Sequence, residues 1–438
     1  MTRKMKDSGI EWIGEIPEDW EISKFKNSSN LYVGDSIKDN EKDNYLDKDD
    51  AKAYVATKDL IIDENMVDFS NTLYVKNDNI KFKTAPKDSS LICIEGGSAG
   101  RKKAFLDRDV CFVNKLCCIN PLNSMDKKYM FYLISNQAFE QEFDKYIQGL
   151  IGGVSINKLS NFNIPLPTLK EQHKISSFLD NEVNKINISI GYIYEQIENL
   201  KNYKKSVITE AVTKGLDKNV EMKDSEIEWI GEIPKHWKVV PLKRLAIYNQ
   251  GTLDEFTKKD YEFEYIDISS VKYGKGILPL ETMTFEKAPS RARRIVHDGD
   301  IIISTVRTYL KAIATVPSSD KQMIASTGFC VVRTNGIIEQ GFLKYSVQSE
   351  HFISEIASKS TGVSYPAINS TDLVNIKVLV PTKSERLEII KYLDKKTKLI
   401  DESIAIKQKQ LETLEEYKKS LIYEYVTGKK EVKDGEET

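Results

Sequence analysis

No stretch of this sequence approaches the eighteen or so consecutive apolar residues that a membrane-spanning helix needs, and Met1–Asp7 has no apolar core of the kind that opens a secretory leader. A soluble, cytoplasmic protein is expected. Cysteine is scarce and unpatterned: Cys93, Cys111, Cys117, Cys118 and Cys330 form no C-x-x-C pair, and adjacent Cys117 and Cys118 cannot easily share a bridge. Most lie in apolar runs such as Val110–Phe112, so they read as buried thiols of a reducing compartment. The four histidines (His173, His236, His297, His351) are scattered, which argues against a zinc site, and no metal ligands are assigned. Neither sign of charge dominates, since 64 Lys and Arg stand against 66 Asp and Glu for a net charge of −2. Bulk charge therefore does not announce nucleic-acid binding. It does not exclude a local basic stripe either, because only groups within a Debye length of a phosphate matter.

Catalytic signatures are also missing. The chain has no Asn-Pro-Pro-Tyr or Asp-Pro-Pro-Tyr run for base methylation and no G-x-G-x-x-G turn for a nucleotide or S-adenosylmethionine. Gly96-Gly97-Ser98-Ala99-Gly100-Arg101-Lys102 lacks the spacing of a phosphate-binding loop and reads as a turn. No catalytic residue is assigned.

What the sequence does contain, it contains twice. Lys6–Trp20 (KDSGIEWIGEIPEDW) and Lys223–Trp237 (KDSEIEWIGEIPKHW) agree at twelve of fifteen positions, at an offset of 217 residues. At an offset of 214, Pro167-Thr168-x-x-Glu171 answers Pro381-Thr382-x-x-Glu385, and Tyr203-Lys204-Lys205-Ser206 answers Tyr417-Lys418-Lys419-Ser420. The unit is an anchor, a variable block and a tail, repeated once. Repeats of this length are duplicated domains and not a solenoid, whose periods run at roughly 20–50 residues. Duplication points to pseudo-two-fold symmetry and a two-part target.

Both tails read as helices. Thr168-x-x-Glu171 and Thr382-x-x-Glu385 fit capping boxes. Behind the first, Ile175, Leu179, Val183, Ile186, Ile190, Ile193, Ile197, Leu200 and Val207 follow coiled-coil spacing. Behind the second stand Ile389, Leu393, Ile400, Ile404, Leu411, Leu414 and Leu421, with Thr397 and Lys407 interrupting the seam. Each helix runs on to Gly215 or Gly428 and spans roughly 70 Å at 1.5 Å per residue. The expectation is that the two pack antiparallel and hold the variable blocks apart; the alternative is that each packs on its own block. The blocks read as mixed α/β, with strands at Ser90–Ile94, Val110–Val113, Ile301–Ser304 and Phe329–Val332 and late helices at Lys127–Tyr146 and Gln340–Ser358.

Two basic clusters are the candidate DNA contacts. Arg291, Arg293, Arg294, Arg307 and Lys311 outweigh Asp298 and Asp300, and Arg101, Lys102, Lys103, Arg108 and Lys115 outweigh Asp107 and Asp109, a local +3 in each case. Arginine forks pair with two guanine acceptors, while lysines add phosphate affinity. Thr305, Thr308 and Tyr309 add neutral donors or stacking surface. Glycine-bearing loops recur before the helices, Gly149–Ser155 and Ser360–Tyr365, and would let backbone approach a phosphate or serve as plain turns. In the anchors, Trp12, Trp20, Trp229 and Trp237 either brace block against helix or receive another protein.

The run I-P-L-P-T-L-x-E-Q at Ile164–Gln172 opening a long helix, its diverged copy at Val378–Arg386, the Trp-Ile-Gly-x-Ile-Pro anchors and the apolar-Ser-Thr-x-Arg element at Ile303–Arg307 together resemble the specificity subunits of Type I restriction-modification enzymes over all but the last ten residues. The resemblance implies an α+β protein in which two pseudo-symmetric mixed α/β target-recognition domains are separated by two long antiparallel helices forming a coiled coil. The expected parts are a first recognition domain with its anchor (1–167), a first spacer helix (168–215), a linker, second anchor and second recognition domain (216–381), a second spacer helix (382–428) and a polar tail (429–438). It further implies a non-catalytic subunit that binds double-stranded DNA, each domain reading half of a bipartite site. Two methyltransferase subunits would dock on it, and motor-endonuclease subunits through them. S-adenosylmethionine, ATP and Mg would belong to those partners and no cofactor to this chain. The blocks depart from each other, with Glu95-Gly96-Gly97-Ser98 in the first against Thr305-Val306-Arg307-Thr308 in the second, and Gln172 against Arg386. The rival readings are the recognition subunit of another multi-subunit restriction enzyme, a restriction subunit with a cryptic nuclease or methyltransferase site, and a coiled-coil adaptor with no DNA role.

Overall fold

The computed structural model describes residues 3–62, 65–147, 152–228, 230–433 and 435. The chain divides into two compact units, one of residues 1–193 with 409–438 and one of residues 194–408. Both divisions fall inside long helices, Leu169–Lys214 (46 residues) and Lys383–Val426 (44 residues), so each unit holds part of both.

In the first unit, Lys103–Phe105, Ser90–Cys93, Leu116–Pro121 and Ser29–Val33 form an antiparallel sheet in that order. A second sheet runs Leu73–Lys76, Ala51–Val55, Val110–Phe112, Thr84–Ala85, with its two central strands parallel. Strand periodicity sorts the side chains. Leu91, Cys93 and Cys118 face Val55, Val110 and Phe112 of the other sheet, while Ile92, Cys117 and Ile119 join a core with the helices. The second unit repeats the layout. Its sheets run Ala246–Tyr248, Phe329–Thr334, Ile301–Ser304, Ile313–Thr315 and Thr282–Thr284, Glu262–Ile266, Met323–Ser326, Ala292–Val296. There Ile302 and Val331 face the second sheet, and Ile301, Ile303 and Cys330 face the helices. Cys117 and Cys330 fill the same place, so the thiols are packing atoms, and burial raises both above the usual thiol range.

The late helix of each block is two helices. Lys127–Ser135 gives way to Gln137–Lys145 at Asn136, whose Oδ1 accepts from the Phe139 amide at 2.9 Å and caps the second helix. Ser349 separates Gln340–Gln348 from Glu350–Lys359, its hydroxyl donating to the Ser346 carbonyl at 2.6 Å. Both residues divert a backbone group from the helical ladder, which a periodicity reading does not weigh.

The long helices meet antiparallel within each unit, since partner numbers rise on one as they fall on the other. In the first unit the Phe178 and Tyr425 rings lie 4.5 Å apart, and Lys418 donates to Asn187 at 3.1 Å. In the second, Lys407 donates to Gln196 and Lys204 pairs with Asp401, both at 2.6 Å. No member of the apolar seam is exposed, and each buried Leu or Ile is worth about 1.5–3 kcal/mol. The two interruptions are satisfied: Thr397 donates to the Leu393 carbonyl, and Lys407 reaches Gln196. Gly191 lies in mid-helix with open space around it and does not break the ladder.

Each helix starts from a tied-down residue. Gln172 accepts from the Asp126 amide at 2.7 Å, and Arg386 pairs with Glu339 at 2.5 Å, so both fix the long helix to the cap of its block's late helix. No helix among the described residues is long and apolar enough to cross a membrane.

Candidate nucleic-acid interface

In the second unit the hairpin between Ile301–Ser304 and Ile313–Thr315 carries the exposed basic residues. Its base is rigid: Thr305 is buried, its amide and hydroxyl both donate to the Gly328 carbonyl (2.8 and 2.9 Å), and its carbonyl accepts from Ile368. Val306 bridges to Ala367, and the buried Thr308 hydroxyl lies 2.9 Å from that of Ser360. The turn is thus fastened to the Ser360–Ala367 loop. Above this base Arg307, Tyr309 (58% exposed) and Lys311 face solvent, and the Arg307 guanidinium lies 5.2 Å from the centre of the Tyr365 ring, itself 66% exposed. Arg307 and Lys311 flank a short 3-10 turn, Thr308–Leu310, and both sit in left-handed backbone at φ 50°.

The first unit builds the same turn from different residues. Glu95 bridges to Gly153 as Val306 does to Ala367, and Val154 donates to the Ile94 carbonyl as Ile368 does to Thr305. The left-handed positions, again four residues apart, are Gly96 and Gly100. A Cβ on Gly100 would meet the Phe143 ring at 2.7 Å, so that position excludes a side chain. Residues 149–151 of the glycine loop lie outside the described residues.

This equivalence corrects the pairing of the basic clusters. The strand registers set Arg291–Arg294 against residues 80–83, and Arg101 falls at the far end of the turn occupied by Arg307–Lys311. A count of charges along the chain is blind to that shift. Arg101 and Lys115 are exposed, Lys115 lying 3.9 Å from Glu95, while Lys102 is half-buried and donates to the Thr57 carbonyl at 2.9 Å. Lys103 does not belong to the surface at all. It is 1% exposed, and its Nζ donates to the Ile134 carbonyl at 3.1 Å and pairs with Glu140 at 2.5 Å. Burial holds its ammonium below the usual lysine range, with Glu140 opposing that shift. Arg108 is matched by Asp107 at 2.8 Å, and Asp300 by Arg333 at 2.6 Å, so neither contributes free charge. Thr305 is likewise a structural residue whose hydroxyl is taken.

Arg291 is exposed and adjoins the turn through a shared hairpin: its carbonyl accepts from Thr327, whose neighbour Gly328 holds Thr305. Arg293 and Arg294 are half-buried on the edge strand beyond. Arg293 lies 4.6 Å over the Phe285 ring and donates to the Ala292 carbonyl, and Arg294 has a buried Nε without a partner.

Two of the anchor tryptophans, Trp20 and Trp237, are braces. Trp20 is buried and donates to Glu171 at 3.0 Å; Trp237 is buried and donates to Glu385 at 3.1 Å. Neither is open to a partner. Trp12 is half-buried, edge-on to Phe139 at 6.1 Å, and Trp229 lies outside the described residues. Burial pushes Glu385 up, but the Thr382 hydroxyl, the Trp237 indole and His236 outweigh it and bring the carboxyl to about 2. Among the described residues no cluster of His, Cys, Asp and Glu is placed to hold a metal ion.

The sequence model described as "Type I restriction modification DNA specificity domain" matches twice, over residues 17–199 and 234–416, each copy starting at the end of an anchor, spanning a block and stopping within a long helix. The chain belongs to this family. Among curated relatives it is similar to the Type I restriction enzyme MjaVIII specificity subunit of Methanocaldococcus jannaschii, 28% identical over 444 residues with 96% of this chain and 95% of the relative covered. The putative Type I restriction enzyme MjaX specificity subunit of the same organism is 27% identical, with 96% of each covered. Two solved structures share the fold at 14% identity. One, from work on complex assembly and conformational transition of the type I R-M system, has a TM-score of 0.70 and covers 94% of this chain and 99% of that one. The other, the HsdS subunit from Thermoanaerobacter tengcongensis, has a TM-score of 0.51 with 94% and 98% covered.

Within this family fold, sequence reasoning passed over two residues beside the turn. Tyr365 stands in a loop singled out for its glycine, and Lys205 in a repeated tail motif read only for its helix. The signal for the first was an aromatic residue three positions after Gly362; nothing local marked the second.

Proposed function

We propose that this chain is the non-catalytic DNA-reading subunit of a Type I restriction-modification complex, in which each unit reads one half of a bipartite duplex target. The long helices set the gap between half-sites and receive two methyltransferase subunits, through which motor-endonuclease subunits join. S-adenosylmethionine, ATP and Mg are placed on those partners. The observation that carries the reading is the pair of equivalent turns: one rigid scaffold, built twice, presents Arg307, Tyr309 and Lys311 in one copy and Arg101 in the other. Phosphate contacts position a protein and base contacts specify its site, so a scaffold duplicated with different tips suits two half-sites of different sequence.

Methylation mapping of cells carrying the chain with its methyltransferase tests this. Arg307→Ala is expected to relax recognition in the second unit's half-site alone, at a cost of about 1–3 kcal/mol if the fork contacts a base. Both halves changing together would refute independent readers.

A further inference from the structure

We propose that Lys205, Lys311 and the Tyr273 ring form a cradle for one backbone phosphodiester of duplex DNA, so that a long helix and a reading turn grip the same phosphate. The site rests on the DNA-reading function above and adds to it a contact that carries no sequence information.

Tyr273 begins the loop between Val271–Lys272 and Gly276–Ile277, and its ring is half-buried against the core of the second unit. Lys311 reaches it from the turn and Lys205 from the first long helix, each with Nζ 5.8 Å from the ring centre. Two ammonium groups thus approach the same aromatic ring. Neither forms an ion pair among the described residues, and the hydrogen bond of Lys205 is to neutral Asn202 at 3.2 Å. Neighbouring helix lysines are matched, Lys204 to Asp401 at 2.6 Å and Lys201 to Glu198 at 3.4 Å. Glu350 is the carboxylate whose charge reaches the Tyr273 hydroxyl, and it pairs with neither lysine.

Like charges outside any ion pair repel, and an anion bound by both relieves the repulsion. The backbone adds a second argument. Lys311 holds left-handed geometry that disfavours any side chain, geometry that the twin turn gives to a glycine, Gly100, so the fold accepts strain at the residue that carries that ammonium. A phosphodiester suits the pair better than a base edge, because ammonium groups act as compact point charges and lack the planar fork that reads guanine. The cradle belongs to the second unit alone. Matching the strand pair Leu60–Ile61 and Met66–Val67 to its counterpart puts Ile62 where Tyr273 stands.

The salt dependence of duplex binding by the full-length chain tests the cradle. Each neutralised phosphate contributes about 0.9 to the slope of log K against log salt. Lys205→Ala with Lys311→Ala is expected to lower the slope by about 0.9, the value for one shared phosphate. Lys398→Ala, which removes an exposed helix lysine elsewhere, is expected to leave it unchanged. A double variant with the slope of the unaltered chain, a drop of about 1.8, or an equal drop in Lys398→Ala would overturn the shared cradle while leaving DNA reading intact. If the unaltered chain showed no salt-dependent binding, the DNA-reading function itself would fall.

Discussion

The buried ion pair of Lys103 and Glu140 has a built-in control, because the same two places in the second unit hold Ile313 and Ile353. Lys103 is 1% exposed, whereas the Glu140 side chain keeps 33% of its surface. Removing each partner should therefore cost a different amount. Glu140→Ile strands an ammonium with only the Ile134 carbonyl for company and is expected to cost about 3 kcal/mol, the low end for breaking a buried pair, because the lysine can shed its proton. Lys103→Ile leaves a carboxylate that can turn to water and should cost about 1–2 kcal/mol. The double change to isoleucine recreates the apolar contact of the twin and should cost no more than about 1 kcal/mol, giving a coupling of about 3 kcal/mol. Hydrogen exchange of the amides in Lys103–Phe105 and Gln137–Lys145 reads these values as local opening energies. The Glu140→Ile variant carries a pH signature as well. A lysine whose folded value is lowered makes the unfolded chain bind more protons, so stability rises with pH from the folded value towards the unfolded one, about 10.4. A double variant costing the sum of the singles, or a Glu140→Ile penalty indifferent to pH, would refute the account.

Glu385, held at about 2, contributes stability that is fully present above the unfolded carboxyl value and is lost as pH falls from there towards 2. Glu385→Gln is expected to cost about 1–3 kcal/mol at pH 7 and to flatten the acid limb of thermal unfolding of the second unit. Arg307→Gly should raise thermal stability, because relief of left-handed strain, about 1–2 kcal/mol, outweighs the extra chain entropy of glycine, about 0.5–1 kcal/mol. The same variant should bind its DNA more weakly; a loss of both stability and binding would mean that Arg307 holds the turn together.

Local signals carried much of the fold. Twelve shared residues around each anchor marked the duplication, and Thr168 and Thr382 marked the helix starts, their hydroxyls accepting from the amides of Glu171 and Glu385. Strands such as Ile301–Ser304 followed from β-branched runs between turn residues. The site was harder to see because its geometry is non-local. Lys103 follows two exposed or half-exposed basic residues in sequence, yet its strand turns it inward to Glu140, 37 positions on. Trp20 and Trp237 were ambiguous until Glu171 and Glu385 were seen to accept their indoles across about 150 residues. The match between Arg307 and Gly96 needed bridges to loops far downstream, and charge counting along the chain set the wrong segments side by side.

The last turns of the second long helix complete the first unit. Leu421, Ile422, Tyr425 and Val426 belong to its core, Val426 accepts from Tyr129 at 3.0 Å, and Gly428 lies against Pro17 and Trp20. During synthesis, then, the block made earlier is finished later: its core waits open until Leu421–Val426 have been made, while the block made later has all its pieces by Gln408. A chain cut after Gln408 would spare the later block and leave the earlier one without its final wall.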